Sequence, residues 1–227
     1  MYETAINKIC NSMFPVFYTI HRNGITTVGI CGTAFFINDI GHFMTALQVT
    51  NDIPAGSKLM YAGNLPHSSL DRPIEIKEVY QNKLKFIYIG KVPESDLRGV
   101  NFSVDSSSIG ASVCMGGYPV TDLPINTDDT VNLSTVRQYW QPTTVIDGIE
   151  AAINHGTRGG FVTLHSPLNG MNGGPVFNQE GLVCGMDITS FIREVPEPNG
   201  GKTFVRNGVV ISTLNLRDLV PDHIPLS

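Results

Sequence analysis

The sequence predicts an all-β fold, a sandwich or a barrel, and three observations carry that expectation. Short apolar runs separated by Gly, Pro, Asn and Asp recur along most of the chain. Glycine (23) and proline (14) are plentiful for 227 residues, which suits a fold with many tight turns. Apolar residues reach 41% while charged residues fall to 15%, against about 25% in an average soluble domain. That balance supports a sizeable core and excludes a disordered chain.

The elements follow in order. Residues 3–14 place Ala5, Ile6, Ile9, Cys10 and Met13 at helical spacing, predicting one short amphipathic N-terminal helix. Strand signals then take over. PVFYTIHR, the Asn23-Gly24 turn and ITTVGICGTAFFIN read as a hairpin and its continuation, because Asn-Gly tolerates the positive φ angles of a two-residue loop. A turn over residues 38–41 follows, and HFMTALQVT reads as the next strand. The remaining β candidates are KLMYAG, IEIKEVY, KLKFIYIG, ASVCMGG, GFVTLHS, GGPVFN, GLVCGMDITSFI, TFVRN and GVVISTL. Residues 119–143 are polar, proline-containing and irregular, which marks a linker. The expected division is 1–119 for the helix and first β unit, and 120–227 for the second unit and C-terminal segment.

Charge and composition narrow the function. A net charge of −5 without a long basic run argues against a nucleic-acid surface, which needs clustered Lys and Arg. No stretch approaches the ~18 apolar residues of a membrane-spanning helix. The first residues lack the basic and apolar regions of a signal peptide, so a cytoplasmic location is expected. Cys10, Cys31, Cys114 and Cys184 show no CxxC spacing; the last three sit in apolar, strand-like runs and read as core thiols, with one disulfide left open. The histidines offer no metal-ligand spacing, so neither metal nor cofactor is expected.

Four segments, in order, carry a resemblance. Gly170-Met171-Asn172-Gly173-Gly174-Pro175-Val176-Phe177-Asn178, with Gly181-Leu182-Val183-Cys184-Gly185-Met186 after it, resembles the G-x-S-G-G-P-V-x-N…G-x-V-x-G-M signature of trypsin-like serine proteases, especially the HtrA/Deg type. Gly32-Thr33-Ala34-Phe35-Phe36-Ile37, a turn ending at Gly41, and Thr45-Ala46-Leu47-Gln48-Val49 resemble the segment that carries that family's histidine. Residues 110–119 (GASVCMGGYP) and 207–213 (NGVVIST) resemble two more of its strands. The resemblance spans roughly residues 30–220. It implies two antiparallel β-barrels of chymotrypsin-like type packed face to face, with the site in the cleft between them.

The resemblance also assigns positions. Gln48 stands where the family has its general-base histidine, and Asn172 where it has the nucleophilic serine. A neutral amide cannot accept a proton near pH 7, and an asparagine has no hydroxyl to attack a carbonyl. The third position is open: Asp96 in VPESDL would retain the aspartate, whereas Asn101 in NFSV would make a third amide. The oxyanion hole, built in the family from backbone N–H groups, would survive at Gly170, Asn172 and Gly173. Ser166 falls where the family places the floor of its specificity pocket, and an uncharged floor suits an apolar or small side chain. His42, His155 and His165 read as packing or surface residues rather than substitute bases.

The expected function is therefore a noncatalytic serine-protease-like module that binds or regulates a protein or peptide partner. An active hydrolase with rewired residues and a purely structural protein are the alternatives.

Overall fold

The computed structural model describes residues 2–63, 74–82, 86–93, 97–105, 107–120, 136–149, 159–198 and 200–227. A short helix, α1 (Glu3–Ile9), and a single 3-10 turn (Cys10–Ser12) lead into β1 (Met13–Arg22) and β2 (Ile25–Phe36). The first half continues with β3 (His42–Ala46), α2 (Leu47–Asn51), β4 (Lys58–Tyr61), β5 (Ile74–Glu75), β6 (Lys77–Asn82) and β7 (Ile87–Lys91). The second half holds β8 (Ser112–Gly117), β9 (Tyr139–Ile149), β10 (Gly160–Thr163), β11 (Pro175–Phe177), β12 (Val183–Pro196), β13 (Lys202–Ser212) and α3 (Thr213–Leu219).

These strands make two β units. The first is a curled seven-stranded sheet in the order β5-β4-β1-β2-β3-β7-β6; the second is a closed barrel in the order β10-β13-β12-β11-β8-β9. The β1–β2 hairpin turns at Asn23 (φ 51°) and Gly24 (φ 78°), the positive pair that Asn-Gly favours. Phe14 is buried among aromatic rings of the sheet, tilted against Phe36 at 4.8 Å and edge-on to Tyr61 at 4.8 Å and Phe43 at 5.1 Å. The barrel has its own inner cluster, which includes Val113, Met115, Phe161, Met171, Val176 and Val210. Residues from both units, Met13 and Phe35 from one and Tyr118, Met186 and Ile211 from the other, share the larger core and weld the halves together.

Four expectations need correction. The N-terminal helix stops at Ile9, and Met13 becomes the first residue of β1, opposite Phe35, because sheet pairing outcompetes helical periodicity there. HFMTALQVT is strand only to Ala46, the last residue that pairs with β7; the Leu47 N–H then goes to the Phe86 carbonyl and a helical turn begins. The predicted linker contains the start of β9, since Tyr139 to Thr143 pair with β8 and Pro142 lies opposite Cys114. TFVRN and GVVISTL are one strand to Ser212, and the chain then turns into α3.

The N-terminal segment bridges the two units. Tyr2 packs edge-on against Phe177 (6.1 Å between rings), and Lys8 Nζ donates to the Glu180 carbonyl (2.8 Å). Gln138 Nε2 donates to the Cys10 carbonyl (2.6 Å) and to the Tyr118 hydroxyl (2.9 Å). No described helix is long and apolar enough to cross a membrane. All four cysteines are free thiols; Cys114 and Cys184 are buried in the barrel wall.

Candidate functional site

The cleft between the units is organised by one buried threonine. Thr33 on β2 donates its N–H to the Asn172 carbonyl (2.9 Å). Its hydroxyl donates to the Gly170 carbonyl (2.8 Å) and accepts the Tyr118 N–H (2.9 Å). Its own carbonyl accepts Thr45 Oγ1 (2.6 Å). Thr33 thus ties the first sheet to the turn at residues 170–174 with no water-exposed contact, since its relative exposure is 0%. A buried hydrogen bond of this kind is expensive to break.

The turn itself needs its glycines. Gly170 (φ 91°) and Gly173 (φ 83°) adopt a backbone that other residues rarely enter. A Cβ on Gly173 would also collide with Thr45 Oγ1 and the Thr33 carbonyl and stand 2.8 Å from the Ala46 nitrogen. From behind, β12 clasps the turn: Gly173 N–H donates to the Asp187 carbonyl (2.8 Å), and Asp187 N–H donates to the Gly174 carbonyl (3.0 Å). The N–H groups of Gly170 and Asn172 find no acceptor among the described residues.

This packing sets the backbone of residues 172–173 beside the segment that carries Gln48. Gly173 abuts Thr45 and Ala46, and a Cβ on Gly32 would stand 3.0 Å from the Asn172 carbonyl while colliding with Val49. Gln48 stands in α2 between Leu47 and Val49, so the backbone at residues 172–173 abuts residues on both sides of it. The Gln48 and Asn172 side chains are half-buried. No hydrogen bond links them among the described residues.

The other predicted positions are placed as follows. Asn101 is exposed; its carbonyl accepts the Val183 N–H (2.8 Å), and among the described residues it makes no bond to Gln48. Asp96 and His155 lie outside the described residues. Ser166 is half-buried; its carbonyl accepts Gln141 Nε2 (3.1 Å), and it lines a depression of about 350 Å³ with Val120, Leu168 and Arg206. His165 is exposed. His42 is 8% exposed and contacts Asn38 Nδ2 (3.1 Å), away from the turn. Burial, then Lys91 and His223, pushes the His42 imidazole below its ordinary range, favouring the neutral ring. Among the described residues no group of three or more His, Cys, Asp or Glu side chains could hold a metal.

Sequence reasoning did not single out two residues that the geometry makes prominent. Thr33 was part of a motif, but its four bonds depend on pieces far apart in the chain. Asp187 is a lone acid inside the apolar run GLVCGMDITSFI, which is a visible signal. Its carboxyl is 1% exposed, neither oxygen has a partner among the described residues, and burial raises its pKa well above the usual carboxylate range. Gln48 and Asn172 are neutral amides, and two N–H groups of the turn have no acceptor among the described residues; an amide neither gives up nor takes a proton near pH 7.

Comparison with known proteins agrees with this geometry. Residues 32–186 match the family model for the trypsin-like peptidase domain. Among solved structures, the fold is similar to a serine endoprotease from Yersinia pestis (TM-score 0.63, 18% identity, 96% of this chain and 65% of that one). It is also similar to the HtrA-type protease AlgW with a decapeptide (TM-score 0.68, 14% identity, 96% and 66%). An M. tuberculosis protease in its active form is a third (TM-score 0.62, 16% identity, 96% and 82%). The chain spans under two thirds of the length of the first two. No curated protein sequence matches it. Two β units closing on a Gly-rich turn, together with a family match over most of the chain, lead to one assignment: the chain belongs to the trypsin-like peptidase domain family.

Proposed function

We propose that this chain is a noncatalytic member of its family, a module whose cleft holds an extended segment of a protein partner. The observation that carries the reading is the pair of amides, Gln48 and Asn172, flanking a turn whose Gly170 and Asn172 N–H groups remain free to donate. The base and nucleophile are the groups with removable or acceptable protons, and an amide supplies neither. Donors aimed from the backbone do not depend on the side chain at position 172, so carbonyl binding outlasts the loss of chemistry. The similarity to a protease solved with a decapeptide supports a peptide as the kind of occupant.

The test has two arms. Fluorophosphonate labelling and hydrolysis of activated esters should match a heat-denatured control, while a peptide array should return bound sequences whose affinity falls when Gly170 or Gly173 is altered. Labelling of a serine that survives substitution of the surface serines would establish the rewired hydrolase instead. Peptide binding indifferent to the turn would move the partner to another surface and favour the structural role.

A further inference from the structure

His42 opens β3 in the first unit, and its ring is fixed by an amide that fits in one orientation only. Asn38 Oδ1 accepts the N–H groups of Ile40 (3.2 Å) and His42 (3.0 Å). Asn38 Nδ2 therefore faces the other way, where it donates to the Pro225 carbonyl (2.7 Å) and lies 3.1 Å from His42 Nδ1. An amide nitrogen only donates, so His42 Nδ1 is the acceptor and the ring proton sits on Nε2. The contact is buried, with Asn38 at 2% and His42 at 8% exposure.

Pro225 belongs to a strap, residues 221–227, that packs on this corner. Ile224 is buried in the larger core, its N–H donates to the Pro221 carbonyl (2.9 Å), and the Ser227 N–H donates to the Ile37 carbonyl (2.9 Å). Beside the strap runs the connector, residues 97–103, that leads from the first unit to β12. The Leu97 and Val100 N–H groups donate to the Asp39 (3.3 Å) and Phe36 (2.9 Å) carbonyls, and the Asn101 carbonyl accepts the Val183 N–H (2.8 Å). Connector and strap meet at Gly99, where a Cβ would strike Ser227 Oγ and stand 2.7 Å from Asn38 Cα. The ring, the amide, the strap and the connector thus pack as one group.

We propose that the strap is a proton-released latch, docked while His42 is neutral and freed from the connector when His42 takes up a proton. A proton on Nδ1 sets two N–H groups face to face, and turning the amide around only moves the conflict. The turned amide aims Oδ1 at the Pro225 carbonyl and Nδ2 at the Ile40 and His42 N–H groups, acceptor against acceptor and donor against donor. Either way the bond from Asn38 to the strap is lost. The surrounding elements carry Lys91 on β7 directly opposite His42, Lys77 and Glu78 on β6, Asp39 in the turn, Arg98 in the connector, and Asp222 and His223 in the strap. Burial, then Lys91 and His223, holds the ring below its ordinary range while the strap is docked. Undocking removes His223 and much of the burial, which returns the ring toward its ordinary value of about 6.5. A histidine whose pKa is lower in the docked state stabilises docking above the open-state value and loses that stabilisation as pH falls. The latch is therefore shut at neutral pH, and its opening constant rises by up to about tenfold per pH unit below about 6.5.

The experiment is amide hydrogen exchange of the whole chain by NMR, with protection corrected for intrinsic rates, beside long-range proton–nitrogen spectra of the histidine rings. None of its readouts depends on peptide binding in the cleft. Expected at neutral pH is a His42 ring with bare Nδ1 and protonated Nε2. Protection at Val100, Ile224 and Ser227 should fall together, by up to about tenfold per pH unit below about 6.5, while the β8–β11 pairing holds. His42→Asn keeps an acceptor on the Nδ1 side and cannot titrate, so it should flatten that profile; His223→Gln should retain it. A proton on Nδ1 at neutral pH, or protection indifferent to pH, would overturn the proposal in the unaltered chain. A slope that His223→Gln abolishes would also overturn it, by moving the switch from His42 to His223.

Discussion

Removing the Thr33 hydroxyl while keeping its shape tests how the cleft is held. Thr33→Val deletes a group that donates to the Gly170 carbonyl at 2.8 Å and accepts the Tyr118 N–H at 2.9 Å, inside a site with 0% exposure. Both backbone partners are left without that bond. An unsatisfied buried group costs about 1–3 kcal/mol, so the pair should cost about 2–5 kcal/mol in total. For a domain of this size, each kcal/mol moves Tm by about 2–4 °C, which places the melting point of the variant roughly 4–20 °C lower. Urea unfolding followed by circular dichroism should show a lower midpoint at unchanged m, the sign of lost stability rather than altered compactness. Thr33→Ser keeps the hydroxyl and loses a methyl, so its cost should stay near about 1 kcal/mol. A valine variant within about 1 kcal/mol of wild type, or a serine variant as damaged as the valine one, would refute the assignment of the bond energy to the hydroxyl.

Three further outcomes are expected. Gln48→His with Asn172→Ser should give weak hydrolysis of activated esters; that activity should fall on Asp96→Asn if Asp96 orients the imidazole, or should need Asn101→Asp if it does not, as an esterase assay of the four combinations will decide. Gly173→Ala should cost about 2–4 kcal/mol by thermal melt, combining backbone strain with a side chain forced against Thr45 and Thr33. Asp187 has a folded-state pKa above its unfolded value of about 3.9, so the native state holds a proton the unfolded chain has released, and stability should decline as pH rises from about 4 toward that raised value. Asp187→Asn should erase this decline and exceed wild type in stability toward neutral pH, the gap closing near pH 4 in paired urea titrations.

Much of the fold was legible because its signals are local. Asn23-Gly24 requires a hairpin wherever it sits between alternating strands, and GGPV followed by GLVCGM marks the turn and the strand behind it. What stayed hidden depended on distant partners. Residues 139–143 fall in the stretch that reads as a linker, in part because Pro142 lacks an N–H, yet β8 accepts them in the ladder with Pro142 opposite Cys114. Leu47–Asn51 carries the apolar content of a strand and becomes helix because pairing with β7 ends at Ala46. At the site, the motif marked the 170–174 turn, whereas the Thr33 crossing and the unpartnered carboxyl of Asp187 are products of packing. The sequence shows an acid in an apolar run; only the barrel shows that its carboxyl finds no partner among the described residues.

The architecture also explains how the chemistry at position 172 can be exchanged without harm to the turn. Every described bond that shapes residues 170–174 uses backbone atoms: the Gly170 and Asn172 carbonyls toward Thr33, and the Gly173 N–H and Gly174 carbonyl toward Asp187. The side chain of Asn172 contributes none of them. Substituting the residue there leaves every one of those bonds in place. Stability and shape are thus vested in Thr33, the glycines and β12. On the proposed reading, a binding module arises from a protease scaffold by two amide replacements, with no refolding of the cleft. The same separation makes the restoring double substitution informative, since it reintroduces reactive groups into a frame that was never rebuilt.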